Sequence, residues 1–391
     1  MRLIADLREA AAPARAFAAL GVGWGAFNAQ VPDLKARIGA GDGVFGLTLA
    51  LGALGLTLAL WLAPRLDRRA GAAAMPVGVA ILAAAFLLPG VAASPVAFAG
   101  GMLLVTAASG LLDVTMNTRL SETEGRAGRP LLNLGHAVFS LSYAPAALMA
   151  GFAREAGWPP VVIFAAAAAV MLALGLGARQ APEGVAEAPP APREVMRAPA
   201  LLWACGALCL LAFAIEGGVE NWSALHLERT FGLPPAGGAL GPALLGLTMG
   251  LGRLGGQVVS GRIAPMPLAA AAGVLDAAGG ALAAAAPAPF GAYAGFGLVG
   301  LGVSVMGPLA IAEGGRRAAE RGWAGGRGRA VGQVAVIGFA GFFVGPPLLG
   351  GLSEAFGLRA AVGGLGAMGL IGAVLALRLG AISPLSRICK P

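Results

Sequence analysis

The sequence predicts an all-α membrane protein in which twelve transmembrane helices form two pseudo-symmetric six-helix bundles. Three observations predict this fold class: the composition, the apolar runs of membrane-spanning length, and a repeat that relates the two halves of the chain. The 391 residues are 58% hydrophobic and 12% charged, and their mean hydropathy is +0.80. Soluble domains usually hold about 25% charged residues, so this composition excludes an ordinary soluble protein.

Apolar runs of about 20 residues are long enough to cross roughly 30 Å of hydrocarbon as helices. Cutting them at charged or Pro/Gly-rich breaks gives spans 1 to 12, at residues 14–36, 43–64, 73–92, 95–119, 130–153, 158–178, 199–227, 239–262, 266–286, 289–313, 330–353 and 359–379. The stretch between spans 6 and 7 is polar, proline-rich and without periodicity, which is typical of a linker. The predicted parts are an N-terminal six-helix half at 1–178, a cytoplasmic linker at 179–198 and a C-terminal six-helix half at 199–391.

The loop charges predict the orientation of the chain. An even number of spans places both termini on one side of the membrane, and most of the 27 Lys and Arg residues fall on that side. The opposite side carries Lys35, Arg37, Arg154, Arg229 and Arg359. By the positive-inside rule both termini are cytoplasmic. The net charge of +8 is therefore a topology signal, and no nucleic-acid partner is expected.

A repeat with a constant offset of 200 residues relates the two halves. The tripeptide GLT at 46–48 recurs at 246–248, Gly151 recurs as Gly351, and Asp113 recurs as Glu313. Single glycine matches arise easily by chance in a chain with 64 glycines, but a constant offset across several helices does not. Two six-helix halves related as parallel repeats are the arrangement of transporters whose halves rock about a site near the bilayer midplane.

With this topology and repeat, the chain resembles the major facilitator superfamily over essentially its whole length. The loop PRLDRRAG at 64–71 is similar to the family's motif after the second helix, with Asp67 and Arg68 in place. The resemblance implies a secondary transporter of a bacterial cytoplasmic (inner) membrane that works as a monomer. It also assigns Asp67 and Arg68 to a gate, and we assign Glu313 to gating with them.

Within the superfamily, the nearest resemblance is to the fucose permease-like branch. Span 4 has the branch's acid and amide as Asp113 and Asn117. Span 5 has the branch's R-L-N-L-x-Q pattern as Leu132, Asn133 and Leu134, with His136 in place of the glutamine.

Span 1 has the branch's W-G-x-x-N pattern as Trp24, Gly25 and Asn28. Pro32 stands where the branch carries a proton-binding acid, and Asp33 follows it. Asp33 is expected to face the periplasm, so the branch's scheme of proton coupling does not transfer directly to span 1.

The predicted proton-coupling residues are ionisable groups inside apolar spans, where a charge is costly and by default marks function. They are Asp113, His136, Glu216 and Glu220. Asp113 has a structural alternative, an ion pair with Arg119 or Arg68 at a cytoplasmic gate. His136 has two readings, a proton relay with Asp113 or a packing residue near a helix end. Glu216 and Glu220 are four residues apart and so share one helical face. At least one of them is expected to be neutral or paired, with Arg253 of span 8 as the candidate partner.

The predicted substrate-binding residues are amides and tryptophans in a site lined by spans 1, 4, 7 and 10. They are Trp24, Asn28, Gln30, Asn117, Asn133, Asn221 and Trp222. As an alternative, Asn28, Gln30 and Trp24 bond between helices, and Glu220, Trp222 and His226 anchor span 7 at the periplasmic interface. Asp276, midway along span 9, has no role in this scheme.

The predicted function is alternating-access import of a small polar solute, such as a sugar or polyol, by proton symport. The alternative is a proton-coupled antiporter that exports a lipophilic or cationic compound. An enzyme is not expected, because no HExxH or Walker motif occurs and two histidines make a metal centre improbable. No catalytic residue, metal or cofactor is expected beyond a proton gradient. A channel would need a repeated ring of groups, and the acids kept in both halves argue against a sensor or scaffold.

Overall fold

A computed structural model describes residues 2–183, 200–259, 263–323 and 326–381, and it is helical throughout these ranges apart from short turns. Nine segments of the described chain are long and apolar enough to cross a membrane. The helices Ala11–Ala29, Pro160–Leu176 and Pro235–Val259 complete the twelve spans. The fold class is therefore the predicted one, a twelve-helix membrane protein.

In the N-terminal half, three of the six spans are divided into two helices. The helices of spans 1 to 6 are Ala11–Ala29 with Val31–Arg37, Asp42–Ala53 with Gly55–Ala70, Ala74–Ala85 with Leu87–Val91, Pro95–Ala127, Leu132–Glu155 and Pro160–Leu176. A short helix, Arg2–Glu9, precedes span 1, and a 3-10 turn, Gly71–Ala73, joins spans 2 and 3.

In the C-terminal half each span is one helix. The helices of spans 7 to 12 are Ala200–Phe231, Pro235–Val259, Pro265–Ala285, Pro289–Glu320, Gly326–Phe356 and Leu358–Ala381. Spans 4, 7 and 10 are longer than predicted, with 33, 32 and 32 residues. The apolar run marks the part of a helix in hydrocarbon, whereas helical hydrogen bonding continues into water until a capping residue ends it.

Span 4 shows how such a helix begins and ends. Ser94 is its N-cap, and the Ser94 hydroxyl accepts a hydrogen bond from the Ala97 amide at 3.3 Å. The helix ends at Gly128, which has a left-handed φ of 63°. Because residues with a Cβ rarely adopt this conformation, glycine is the residue that suits the position.

The two halves meet along two pairs of helices, span 2 with span 11 and span 5 with span 8. The repeat-related glycines Gly46 and Gly246 lie in these two contacts. A Cβ on Gly46 would collide with the Pro346 carbonyl, and a Cβ on Gly246 would collide with the ring of Tyr143. Small residues let membrane helices approach this closely, so the offset of 200 residues corresponds to two equivalent contacts between the halves.

Residues 184–199, which include most of the predicted linker, lie outside the described residues. The linker's first residues are described, and they contact the N-terminal half. The Gln180 side-chain amide donates to the Thr123 hydroxyl at 3.1 Å, and Glu183 pairs with Arg126 at 2.6 Å. The chain thus leaves span 6 against the end of span 4.

Candidate functional site

A central cavity of about 410 Å³ lies between the two halves. Its wall comes from spans 1, 2, 4, 5, 7 and 11, and span 10 is not among the described lining elements. The lining residues that carry the argument below are Trp24, Ser109, Asp113, Phe139, Glu216, Glu220, Asn221, Phe339, Phe342 and Phe343. The prediction that span 10 lines the site is wrong. Spans 2 and 11, which are in contact with each other, form part of the cavity wall instead.

Three of the four predicted proton-coupling residues lie in the cavity wall. Asp113 and Glu216 stand near the middle of 33- and 32-residue helices in opposite halves. Asp113 Oδ1 accepts a hydrogen bond from Asn117 Nδ2 at 3.0 Å. Glu216 Oε1 lies 3.4 Å from Arg253 Nη2. Glu220 makes no hydrogen bond or ion pair with the residues that the structure describes. The three carboxylates therefore have three different surroundings.

Arg253 connects Glu216 to the other half of the molecule. Its Nη1 donates to the Ser140 hydroxyl at 2.7 Å and to the His136 carbonyl at 3.3 Å, both on span 5. Arg253 belongs to span 8, so one guanidinium contacts a cavity carboxylate and the facing helix at the same time. The expected pairing of one of the span 7 acids with Arg253 is therefore confirmed for Glu216, whereas the contacts of Arg253 with span 5 were not expected.

His136 lies outside the cavity wall. Its ring packs edge-on against Phe17, with the ring centroids 5.1 Å apart. Among the described residues, no hydrogen bond joins His136 and Asp113, so the structure does not bring the predicted relay pair together. The packing alternative describes the observed position of the His136 ring.

Two of the seven predicted substrate-binding residues line the cavity. Trp24 Nε1 donates to the Ser109 hydroxyl at 2.8 Å, and Asn221 Nδ2 donates to the Gly217 carbonyl at 2.7 Å. The indole N–H of Trp24 and one N–H of the Asn221 amide are thus occupied within the protein.

The other five predicted substrate-binding residues lie elsewhere. Asn28 Nδ2 donates to the Tyr143 hydroxyl of span 5 at 2.9 Å, a bond between helices as the alternative expected, whereas Gln30 Nε2 donates to the Ala26 carbonyl of its own span at 3.0 Å. Asn117 bonds to Asp113 one helical turn away. Asn133 is not among the lining residues. Trp222 is 1% exposed and packs edge-on against Phe45 of the other half.

An aromatic face of span 11 forms much of the opposite wall, and sequence analysis did not identify it. Val336, Phe339, Phe343 and Pro346 follow the helical spacing of three and four residues and line the cavity together. Phe213 of span 7 stacks on Phe339 with a centroid distance of 5.4 Å, and it stacks on Phe342 in the same way. The spacing was the available signal, but in a span that is apolar on all sides it does not show which face meets a cavity.

Charged residues join the two halves at one end of the molecule, which we call the sealed end; it carries the turns at 38–41, 92–94, 156–159, 232–234 and 286–288. Arg154 of span 5 is the central cation, and its side chain is 1% exposed. It pairs with Asp33 at 2.7 Å and, across the interface, with Glu228 at 2.7 Å. Arg154 also donates to the Ala29 carbonyl at 2.7 Å.

Asp42 forms a second cluster at the sealed end. It pairs with Lys35 at 2.9 Å inside its own half. From the other half, Arg229 lies 2.9 Å from the Asp42 carboxylate, and the Ser353 hydroxyl donates to it at 2.6 Å. The Gly43 amide also donates to Glu354 of span 11 at 2.7 Å. Four helices from both halves are thus tied together by polar contacts at this end.

The break in span 1 places Asp33 in this network. The first helix ends at Ala29, and a second one begins at Val31 with Pro32 in its first turn, where a missing N–H costs nothing. Asp33 therefore turns toward Arg154 at the sealed end and is not a lining residue of the cavity. It does not take the position of the acid that the fucose permease-like branch has in span 1.

The predicted gate residues lie at the opposite end, which we call the linker end because it carries the turns at 71–73, 128–131 and 321–323 and the start of the linker. Asp67 bonds to the buried Arg119, which also pairs with Glu122 at 3.3 Å. Arg68 is exposed. These ion pairs lie inside the N-terminal half.

In the C-terminal half, Glu313 is buried beside two arginines of its own helix. Arg316 pairs with Glu313 at 2.6 Å, and the Arg317 guanidinium also bonds to it. Glu313 therefore lies among cations at the linker end, whereas its repeat counterpart Asp113 lies in the cavity. The named ion pairs of the linker end each join residues of one half.

Asp276 of span 9 is fully buried and lies outside the cavity. It packs against the backbone of spans 10 and 12, where a Cβ on Gly302 or Gly369 would collide with it.

The described arrangement is that of the major facilitator fold: twelve spans, two pseudo-symmetric halves and a cavity between them. No protein-family model matches the chain. In sequence it is 28% identical over 350 residues to an uncharacterized MFS-type transporter of Yersinia pestis, which covers 89% of this chain and 90% of that protein. It is 27% identical over 350 residues to the membrane protein MosC of Rhizobium meliloti, covering 88% of this chain and 84% of that one.

Solved structures share the fold at low sequence identity. A bacterial homolog of the human lysosomal transporter Spinster, in an inward-facing and occupied conformation, has a TM-score of 0.71 and 16% identity over 98% of both chains. A D-xylose-proton symporter has a TM-score of 0.71 and 15% identity over 95% of this chain and 97% of that chain. A point mutant of the nucleoside transporter NupG has a TM-score of 0.73 and 13% identity over 94% of this chain and 98% of that chain.

Proposed function

We propose that the protein is a secondary transporter that moves a small organic solute through the central cavity by alternating access, with proton coupling. The observation that carries the proposal is the cavity itself, which holds carboxylates from both halves and lies below an end sealed by ion pairs between those halves. The similarity to an MFS-type transporter supports it. Asp113, Glu216 and Glu220 are the groups that exchange protons in this scheme.

The conformation is proposed to be the inward-facing one. The lining residues extend from Leu49 and Pro346 on the side of the sealed end to Ala59, Val114 and Val336 toward the linker end. With the loop charges placing the termini in the cytoplasm, the sealed end faces the periplasm of a bacterial inner membrane. Transport would then require the contacts of Arg154 and Asp42 between the halves to break as the linker end closes.

The solute is proposed to have a large apolar surface. A sugar or polyol buries many hydroxyl groups, and each needs a partner because an unpaired buried hydroxyl costs roughly 1–3 kcal/mol. Among the predicted amides only Asn221 reaches the cavity, and one N–H of its side-chain amide already bonds to the Gly217 carbonyl. The lining is otherwise dominated by aliphatic and aromatic side chains. The geometry therefore favours the alternative, a lipophilic compound, over the polar solute of the fucose permease-like resemblance.

The test of alternating access measures one distance between the halves at each end of the same protein. Two pairs of cysteines carry the spin labels, and each pair occupies exposed positions in opposite halves. The pair at the sealed end is Ala156→Cys with Ala360→Cys, and the pair at the linker end is Ser121→Cys with Ala319→Cys. Cys389→Ser removes the terminal thiol, and Cys205 and Cys209 are buried. On changing pH or adding a transported solute, the sealed-end distance should lengthen as the linker-end distance shortens. Distances that change in the same direction would exclude alternating access.

Proton coupling is tested in proteoliposomes with an imposed pH gradient. Solute movement driven by the gradient should be lost in Asp113→Asn. Movement that runs down the solute's own gradient should persist in that variant. If Asp113→Asn kept gradient-driven movement, Asp113 would not exchange the coupling proton, and Glu216 and Glu220 would be the remaining carriers.

A further inference from the structure

The charges of the cavity wall are all of one sign. Among the described residues that line it, the ionisable ones are Asp113, Glu216 and Glu220, and none is Lys, Arg or His. Glu216 has Arg253 as its cation, at 3.4 Å. Asp113 has the neutral Asn117 as its hydrogen-bond donor, and Glu220 has no donor among the described residues. One cation therefore faces three carboxyl groups.

Two further carboxylates in an apolar cavity are too costly to remain ionised without a counter-charge. Each must hold a proton or face a bound cation. The groups that face Glu220 are Glu216 on its own span, Arg253 on span 8 and Tyr143 on span 5, with Asp113 across the cavity. Arg253 is committed to Glu216 and to Ser140 of the other half. Glu220 is thus the cavity carboxyl group that has neither an ion pair nor a hydrogen-bond donor among the described residues.

The rest of the wall suits the body of an organic cation. Trp24, Phe139, Phe339, Phe342 and Phe343 present aromatic rings to the cavity. A cation held over a ring face is attracted by the ring's quadrupole. The rings are held in place, because Phe213 stacks behind Phe339 and Phe342. A volume of about 410 Å³ is within the range of pockets for drug-sized ligands.

We propose that the cavity binds a monovalent organic cation with a bulky apolar body, and that Glu220 holds either this cation or a proton, but not both. This proposal rests on the proposed transport function and specifies its solute. Exclusive occupancy of one carboxylate makes the exchange an antiport, because a proton must leave Glu220 before the cation binds and must return after the cation leaves. The charge that crosses in each direction is then the same.

The probe is tetraphenylphosphonium, and tetraphenylborate is its control of equal shape and opposite charge. Binding is measured by equilibrium dialysis against the purified protein in detergent, with protein-free micelles subtracted. The wild-type protein should bind the cation in preference to the anion by about tenfold or more, and the affinity for the cation should fall as pH is lowered. Equal binding of both ions, or no cation binding at any pH, would overturn the proposal.

Three variants locate the site. Glu220→Gln should weaken cation binding by about tenfold or more and remove its pH dependence, since the shared group is gone. Glu220→Asp, which keeps the carboxyl group, should retain the pH dependence. Glu320 is an exposed residue of the linker end, so Glu320→Gln is the control for the loss of an acidic group. This variant should bind the cation as the wild type does. Full pH-dependent binding by a folded Glu220→Gln protein would contradict the assignment.

The two proposals fail in different ways. If D-xylose, but not tetraphenylphosphonium, moves in response to a pH gradient and changes the two label distances, the transport function stands and the cation site is wrong. If tetraphenylphosphonium binds through Glu220 but neither label distance responds to it, the site stands and alternating access is wrong. Thermal unfolding of each variant without ligand distinguishes a misfolded protein from a protein that has lost the site.

Discussion

The sealed end and the linker end are both rich in ion pairs, but only the pairs at the sealed end connect one half of the molecule to the other. At the sealed end, Arg154 and Asp42 each join charges from both halves of the molecule. At the linker end, Arg119 and Arg317 pair with acids of their own half. In the alternating access proposed above, ion pairs inside a half move with that half, whereas ion pairs between the halves must break.

This difference indicates which interactions define the conformation. Removing an ion pair inside one half lowers the stability of both conformations equally, so it leaves their ratio unchanged. Removing an ion pair between the halves lowers the stability of only the conformation that contains it, and it shifts the ratio by the full energy of that pair. Substitutions at the two ends can therefore be compared by two measurements, the thermal midpoint and the label distances.

The largest effect is expected for Arg154→Ala. The guanidinium is buried and contacts Asp33, Glu228 and a carbonyl group, so its removal leaves two carboxylates without their cation. Breaking a buried pair in this way typically costs about 3–5 kcal/mol. The thermal midpoint in detergent should fall, and the distance between labels at Ala156 and Ala360 should lengthen in most molecules.

The matched control for this substitution is Arg359→Ala at the same end. Arg359 donates to the Ala284 and Ala286 carbonyls and lies over the Phe231 ring, all within the C-terminal half. The substitution Arg359→Ala should lower the thermal midpoint slightly and leave the distance between the sealed-end labels unchanged. A lengthened distance in Arg359→Ala, or an unchanged one in Arg154→Ala, would contradict the role given to contacts between the halves.

The second effect in size is expected for Asp42→Asn. The substitution removes the charge that attracts Arg229 but keeps a side chain that can accept from Ser353. Hydrogen bonds to charged groups contribute about 1.5–3 kcal/mol, so the sealed-end distance should lengthen in a smaller fraction of molecules than in Arg154→Ala. Asp6→Asn, which removes a pair with Arg129 inside the N-terminal half, is the control and should leave that distance unchanged.

Sequence alone predicted the fold because its signals are strong and local. The span lengths and the low charge content required a polytopic helical protein, and the offset of 200 residues placed Gly46 and Gly246 in equivalent contacts. The ends of spans 4, 7 and 10 were less predictable, because hydropathy reports the limits of the hydrocarbon and not the limits of the helix.

The cavity was predicted in part, for a physical reason. A carboxyl group in an apolar span is costly unless it reaches a polar site, which is why Asp113, Glu216 and Glu220 could be chosen and why all three line the cavity. Amides carry no such constraint, since the side-chain N–H groups of Asn28 and Gln30 find acceptors within the protein. The phenylalanines of span 11 were indistinguishable from lipid-facing ones until helix packing fixed the rotation of that span.

The third prediction concerns the linker end and separates stability from conformation. Asp67→Asn removes the charge that pairs with Arg119, which keeps Glu122 as a partner at 3.3 Å. Since Asp67 is 30% exposed and screened by water, the loss should be about 1 kcal/mol. The thermal midpoint should fall, while the label distances at both ends stay as in the wild type. A shift of the linker-end distance would show that this pair also differs between the two conformations.

The smallest effect is expected for Glu320→Gln, which removes an exposed ion pair. Arg316 and Glu320 are four residues apart on span 10, with side chains 32% and 45% exposed. Pairs of this kind contribute about 0.3–0.5 kcal/mol, and in about 1 M salt, where charges are screened beyond roughly 3 Å, the contribution should vanish. The effect of Arg154→Ala should persist in the same salt, because the Arg154 and Glu228 side chains are only 1% and 17% exposed. Equal salt sensitivity of the two variants would show that the sealed end is open to water in solution.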